Sequence, residues 1–218
     1  MFHVNRASVN SIENLNDEQK EYLYSALNIH GHVCGGMPMG YVAGLAAMKA
    51  LGMSDRERNM DTIAVVYAGN GHAAGCFVDG VQFSTGCTFG KGIMKKEPKG
   101  KWQFMLIQTK TGKAVKVQIK NEILDKAFSA PFITKYRAKG VNPTDIPAEI
   151  ATPGFTNLFD LKPEDVVEIE GPFDVKTPKA KPCFNRMSCS ICGATVAENY
   201  VHMEEGKPIC TDCTHYAK

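Results

Sequence analysis

Two imidazoles and a thiol fall within five residues at His30-x-His32-x-Cys34, and two glycines, Gly35 and Gly36, follow at once. Two more thiols, Cys76 and Cys87, bracket a glycine-punctuated stretch, GCFVDGVQFSTGCTFGKG, which also carries Asp79 and Lys91. A mixed His/Cys set suits zinc, nickel or iron, and fewer than four protein donors leave a coordination position open. The candidate core site is therefore His32, Cys34, Cys76, Cys87 and Asp79, holding a second transition metal of the Zn, Ni or Fe kind. In chemical roles, Cys34 or Cys87 is a thiolate ligand or nucleophile, His30 or His32 a ligand or general base, and Lys91 a clamp for an anionic group. Cys34 stands just before a helix, whose N-terminal N–H groups and dipole are expected to favour its thiolate. The glycines at 75, 80, 86, 90 and 92 read as turns that let backbone approach a ligand. Lys91 is not part of a phosphate-binding P-loop, because the GxxxxGK[ST] order is absent. Each thiol or imidazole alone would read as ordinary buried structure. Two His, three Cys and an Asp beside glycine turns read as a site.

A second cluster lies in the tail. Cys189-x2-Cys192 and Cys210-x2-Cys213, separated by 17 residues, have zinc-ribbon spacing. Each pair presents two thiolates from one tight turn, and a hairpin from Thr195 to Ile209 would bring the turns together into a closed structural zinc site. His202 and His215 lie close by and read as surface residues. So few residues bury little apolar area, so metal binding supplies much of the folding free energy. Acidic Glu198, Glu204, Glu205 and Asp212 sit among the tail lysines, which weighs against nucleic acid.

The elements that must position these groups follow from hydrophobic period. Apolar residues at helical spacing from Asp17 to Ile29 predict a helix capped at Asn16 or Asp17 and stopping at the His/Cys motif. Gly40 to Leu51 predicts a second helix, almost without charge, whose Gly44, Ala46, Ala47 and Ala50 admit a closely packed neighbour. Thr62 to Tyr67 reads as a strand buried on both faces. Trp102 to Thr109 and Ala114 to Lys120 read as a hairpin. Asn121 to Tyr136 reads as a helix that Pro131 ends or kinks, and Asp165 to Glu170 as a last strand. Helices and strands mix without regular βαβ alternation, which predicts an α+β core over 1–172. The Pro- and Lys-rich stretch 173–186 is the expected linker, and 187–218 the ribbon.

Composition sets the outer limits. Of 218 residues, 44% are hydrophobic and 22% charged, so the chain is neither disordered nor fibrous. A net charge of +2 provides no large field to attract nucleic acid or a lipid surface. No apolar run is long enough to span a bilayer and no secretion signal opens the sequence, so the expected location is cytoplasmic.

Taken together, HGHVCGGMPMGYVAGLAAMKALG, GCFVDGVQFSTGCTFGKG and the four-cysteine tail resemble the formylmethanofuran dehydrogenase E-subunit family. That family is named for a component associated with molybdenum or tungsten enzymes that reduce carbon dioxide onto methanofuran in anaerobes. The resemblance implies an α+β core with a metal-containing pocket near His32, Cys34, Cys76 and Cys87, and a homodimer in the cytoplasm. It also implies the other subunits of molybdenum/tungsten enzymes as partners. Two positions depart from the family pattern: Gly35 stands where a proline is usual, and Val42 where an arginine is usual, which implies an altered ligand preference. Nothing resembles a pterin-cofactor domain or a full iron–sulfur ligand set, so this chain is not a self-sufficient formylmethanofuran dehydrogenase. The expected function is a metal-binding protein with an open His/Cys core site, metal- or thiol-dependent if an enzyme, serving anaerobic one-carbon or molybdenum/tungsten metabolism with a small anionic ligand. The alternative is an accessory or regulatory module whose ribbon binds a protein or nucleic acid.

Overall fold

The structure, a computed structural model, describes residues 6–54, 57–58, 60–71, 74–176 and 182–216. The chain divides into two compact units, Met1–Thr177 and Pro178–Lys218. Residues 177–181 of the expected linker lie outside the described residues.

In the first unit, a short helix α1 (Arg6–Asn10) precedes α2 (Asp17–His30). The Asn16 side chain accepts from the Gln19 N–H and the Gln19 side chain accepts from the Asn16 N–H, a reciprocal cap that fixes the start of α2. Gly31, at φ +87°, ends it in the left-handed conformation, so the chain turns sharply and His32 returns beside His30. Helix α3 (Gly36–Ala50) begins four residues before the expected start and is apolar nearly all round, which requires that it be enclosed. Strand β1 (Thr62–Val66) follows, buried along its whole length.

The next element corrects the sequence reading. Residues 75–85, expected as glycine-rich turns, form helix α4 (Gly75–Thr85). A Cβ on Gly40 would lie 1.9 Å from the Phe77 carbonyl oxygen, and one on Gly80 would lie 2.0 Å from that of Met37. A Cβ on Gly44 would meet Ser84 Oγ at 1.8 Å. These pairings advance together along both chains, so α3 and α4 run parallel with their backbones in contact. Gly40, Gly44 and Gly80 serve helix–helix approach; Gly86 and Gly92, at φ +68° and +69°, are turn residues.

Strands β2 (Met94–Lys96), β3 (Gln103–Gln108) and β4 (Lys113–Ile119) complete most of the sheet, the last two forming the expected hairpin. Helix α5 (Asn121–Ser129) stops before Pro131, and a π-helical turn, Phe132–Tyr136, continues the path. Helix α6 (Ala148–Thr156) and the single turn α7 (Pro163–Val166) lead into strand β5 (Val167–Asp174). Pro163 with Glu164 and Asp165 behind it favours a helical first turn, so the last strand starts later than expected and runs past residue 172. The sheet order is β2-β1-β3-β4-β5, with β1 and β2 parallel and the other neighbours antiparallel. This is an α+β fold. Its core gathers Leu23, Leu27, Met37, Met48, Val66, Phe77, Phe104 and Leu106, all fully buried. No helix among the described residues is long and apolar enough to cross a membrane.

The second unit contains two hairpins, β6 (Arg186–Ser188) with β7 (Thr195–Ala197), and β8 (Val201–Glu204) with β9 (Lys207–Cys210). The spacing predicts a single hairpin between the two Cys pairs; instead the 3-10 turn Glu198–Tyr200 separates β7 from β8, and β7 pairs backward with β6.

Candidate metal centres

The core site forms where three helix ends meet. His30 is the last residue of α2, His32 follows its glycine cap, Cys34 precedes α3, and Cys76 lies in the first turn of α4. Gly36 admits Cys76 to that junction, since a Cβ on Gly36 would stand 2.9 Å from Cys76 Cβ. At the start of α3 the Gly36 and Met37 N–H groups are directed at the Cys34 sulfur.

One donor atom from each of His30, His32, Cys34 and Cys76 lies within 4.8 Å of all the others. His30 Nε2 is 3.5 Å from Cys34 Sγ, and His32 Nε2 is 3.7 Å from Cys76 Sγ. Ligands about 2.0–2.3 Å from a tetrahedral ion stand about 3.3–3.8 Å apart, so these spacings fit such an ion. The donor chemistry, two imidazoles and two thiols, fits zinc and its neighbours.

Asp79 is not a fourth-corner donor. It lies three residues beyond Cys76 on the same face of α4, and its Oδ2 is 2.8 Å from His30 Nδ1. The carboxylate therefore fixes the ring and leaves Nε2 facing the other donors. Burial opposes a charge on His30, but the Asp79 hydrogen bond and the nearby Cys76 outweigh it and raise the imidazole to about 9. Cys76 is held far below the ordinary thiol range by hydrogen bonding from the Cys34 thiol, against burial, with His30 and His32 adding to the effect. Cys34 moves the other way. The Cys76 thiolate and burial raise it well above the ordinary thiol range, outweighing the Met37 and Gly36 N–H groups that lower it. The expected helix-terminus effect on Cys34 is present but outweighed, and of the pair Cys76 is the thiol whose thiolate is favoured.

Cys87 and Lys91 do not reach this cluster. Gly86 ends α4 in a left-handed turn, after which Cys87 is fully buried with Sγ 3.6 Å from the Thr62 carbonyl oxygen. Burial raises the Cys87 thiol, as expected of a packed residue. Lys91 ends a 3-10 turn, Phe89–Lys91, and acts electrostatically on Cys87.

The cluster opens on a cavity of about 760 Å³ that His32, Cys34 and Cys76 help to line. Its other walls come from chain that the sequence reading leaves out of the site: Trp102, helix α5, the π-helical turn and α6. The cations on this cavity are Lys126 and Arg137, and Lys91 is not among its lining residues. Proline before a five-residue wide turn is the one sequence signal for this wall, since π-helical turns concentrate at functional sites. Val42, where the family pattern has arginine, is buried in α3.

In the tail, one donor atom from each of Cys189, Cys192, Cys210 and Cys213 lies within 4.8 Å of the others. Cys192 Sγ and Cys210 Sγ are 3.9 Å apart, and the Cys210 N–H donates to Cys189 Sγ. Backbone N–H groups of Cys192, Cys210 and Ile191 lower Cys189 to about 6, whereas its thiol neighbours, Cys210 first, raise Cys213 to about 12. Four thiols so placed are compatible with a zinc ribbon. His215 instead binds Glu204 at 3.0 Å, and the His202 ring lies tilted against Tyr216 with centroids 5.7 Å apart.

Comparison with known proteins gives a family and a likeness of fold. Residues 29–166, well over half of the chain, match the family described as "FmdE, Molybdenum formylmethanofuran dehydrogenase operon". A curated relative from Archaeoglobus fulgidus, described as a probable S-adenosyl-L-methionine-binding protein, is 30% identical over 131 residues. That alignment covers 58% of this chain and 34% of the relative, so the chain spans about a third of the relative's length. The crystal structure of a tungsten formylmethanofuran dehydrogenase FmdE-like protein from Syntrophus aciditrophicus superposes with a TM-score of 0.51 at 21% identity. It covers 83% of this chain and 86% of that one, a likeness of fold.

Proposed function

The chain belongs to the FmdE family, and from that premise we propose that it is a metalloprotein whose core centre presents a transition metal to an organic substrate. The observation that carries this reading is the convergence of His30, His32, Cys34 and Cys76 within 4.8 Å at the wall of a large cavity. A zinc-class ion bound there would polarise a substrate carbonyl or acidify a water. The protein's own contribution is to supply the Cys76 thiolate, to orient His30 through Asp79, and to offer a mainly apolar wall to the substrate's body. Four protein donors complete a tetrahedral shell, so substrate access requires a fifth position or release of one donor. His32 is the candidate for release: it lines the cavity, and no partner on its Nδ1 holds it among the described residues.

The family description supports a place in anaerobic one-carbon or molybdenum/tungsten metabolism, beside the enzymes of that chemistry. Zinc is the expected metal of the tail, and a cytoplasmic homodimer is the expected state from the resemblance. A thiol-dependent reaction without core metal would use Cys76, the favoured thiolate, as nucleophile. The second reading, an accessory module, is favoured by exposed Phe184, Ile191, Tyr200 and Tyr216 in the tail unit, which suit a protein partner.

The test is metal content per chain after anaerobic purification, by plasma mass spectrometry. We expect two metal ions in the native chain, one in Cys34→Ser through loss from the core, and one in Cys192→Ser through loss from the tail. A native chain with a single ion, lost entirely in Cys192→Ser, would refute the core centre and move the accessory reading ahead.

A further inference from the structure

The cavity beside the core centre is large enough for a ligand of metabolite size, since such sites run from about 300 to 1,000 Å³. Its walls are mainly apolar and partly aromatic, with Trp102, Phe128 and Phe132 among them. Trp102 and Phe128, both on the cavity wall, meet edge to face with ring centroids 5.4 Å apart. The charged lining is one-sided. Lys126 and Arg137 border the cavity, and no aspartate or glutamate lines it among the described residues.

Arg137 donates through Nη1 to the Val141 carbonyl oxygen at 2.5 Å, which steadies the guanidinium, and its other N–H groups have no partner among the described residues. Neither cation forms an ion pair among the described residues. An unneutralised guanidinium beside apolar walls favours a planar oxyanion, because a carboxylate meets two of its N–H groups at once. We infer that the cavity binds an organic acid with an apolar, ring-bearing body, its carboxylate held by Arg137 with Lys126 contributing charge, and its body against Trp102 and Phe128. This names the substrate class for the core centre and so rests on the metal reading for its chemistry, although the binding step itself requires only the cavity.

S-adenosyl-L-methionine is the informative competitor, because it carries a sulfonium and an ammonium charge for which the described lining offers no carboxylate. Trp102 is the chain's single tryptophan, so its emission reports on this cavity without a label. The experiment titrates the full-length, metal-loaded protein with 4-phenylbutyrate, with 4-phenylbutyramide and with S-adenosyl-L-methionine, reading Trp102 fluorescence. The same samples are assayed for metal, so loss of the core metal reading and loss of carboxylate binding register separately.

We expect 4-phenylbutyrate to give a saturable change at one site per chain, with the amide about tenfold weaker or more. Arg137→Gln should weaken the acid about tenfold and leave the amide unchanged. Because Arg137 also ties down the Val141 turn, the acid–amide ratio in the native protein and the Lys126→Gln variant give the same reading without that contact. Equal binding of acid and amide, tighter binding of S-adenosyl-L-methionine than of the acid, or no saturable response to any of the three would each overturn the inference.

Discussion

Asp79 Oδ2 lies 2.8 Å from His30 Nδ1, and Asp79 stands three residues after Cys76 on the same face of α4. One helix turn thus supplies both a donor of the core centre and the group that orients another. A carboxylate in this position fixes the imidazole's tautomer and increases its basicity at the opposite nitrogen. Asp79→Ala should therefore weaken core metal binding about 10- to 100-fold while the tail site is unaffected. Asp79→Asn should fall between, because its amide oxygen still accepts from Nδ1. Competition against a chromophoric chelator, with the tail ion counted separately, gives the ratio; unchanged affinity in both variants would reduce the contact to surface structure.

His30 and His32 contribute unequally. His30 is anchored by Asp79 with its side chain 2% exposed, whereas His32 faces the cavity and no described residue holds its second nitrogen. His30→Ala should empty the core centre. His32→Ala should retain the metal on His30, Cys34 and Cys76 and leave a position for water or an added ligand. Cobalt substitution reads this directly, because a Co(II) d–d spectrum changes with exogenous azide only when a position is exchangeable. Equal metal loss in both variants would show that the two imidazoles are equivalent structural ligands.

The approach of α3 to α4 is the framework on which the centre depends. Gly80 has the Met37 carbonyl oxygen and the Tyr41 nitrogen where a Cβ would go, at 2.0 and 2.5 Å. Gly80→Ala must force the helices apart, and overpacking of this kind costs about 1–3 kcal/mol or more when backbone is the obstacle. The same displacement separates Cys34 from Cys76, so stability and core metal should fall together. Gly90→Ala is the control, with nothing within 4 Å of its Cβ and no left-handed backbone. Urea midpoints for the two variants, measured with metal content, check this; a Gly80→Ala protein as stable as the Gly90→Ala protein would show that the helices slide freely.

Much of this is readable from the residues and some is not. The capped start of α2 at Asn16, the buried strand at Thr62, the β3–β4 hairpin and the break at Pro131 each follow from local chemistry. The donors His30, His32, Cys34 and Cys76 are also visible by type. The 75–85 segment misleads because glycine carries two meanings, a left-handed turn or a helix face stripped for contact. Only the partner helix decides between them. Cys87 looks equivalent to Cys76 in the sequence, yet the turn at Gly86 directs it to the Thr62 carbonyl oxygen instead. The aromatic and cationic cavity wall comes from residues 102–161, whose distance along the chain conceals their proximity to the thiols.

The tail unit gives the clearest metal-removal prediction. Its buried core is reduced to Cys189, Ile209 and Cys210, with Val196 and Cys213 packed against them. So small an apolar cluster cannot offset the entropy of ordering two hairpins. Metal ligation must supply the difference, and structural zinc contributes about 10–16 kcal/mol in comparable small modules. Cys192→Ser, or chelation of the native chain, should therefore unfold the tail unit, exposing the β6–β9 segment to rapid proteolysis. The core unit, with its own sheet and fully buried Phe77, Phe104 and Phe155, should keep its cooperative unfolding transition. Limited proteolysis followed by mass determination distinguishes the two, with a protected fragment ending near residue 177 as the expected product. A Cys192→Ser tail as resistant as the native one would show that thiol packing alone folds it, and the four cysteines would lose their standing as a metal site.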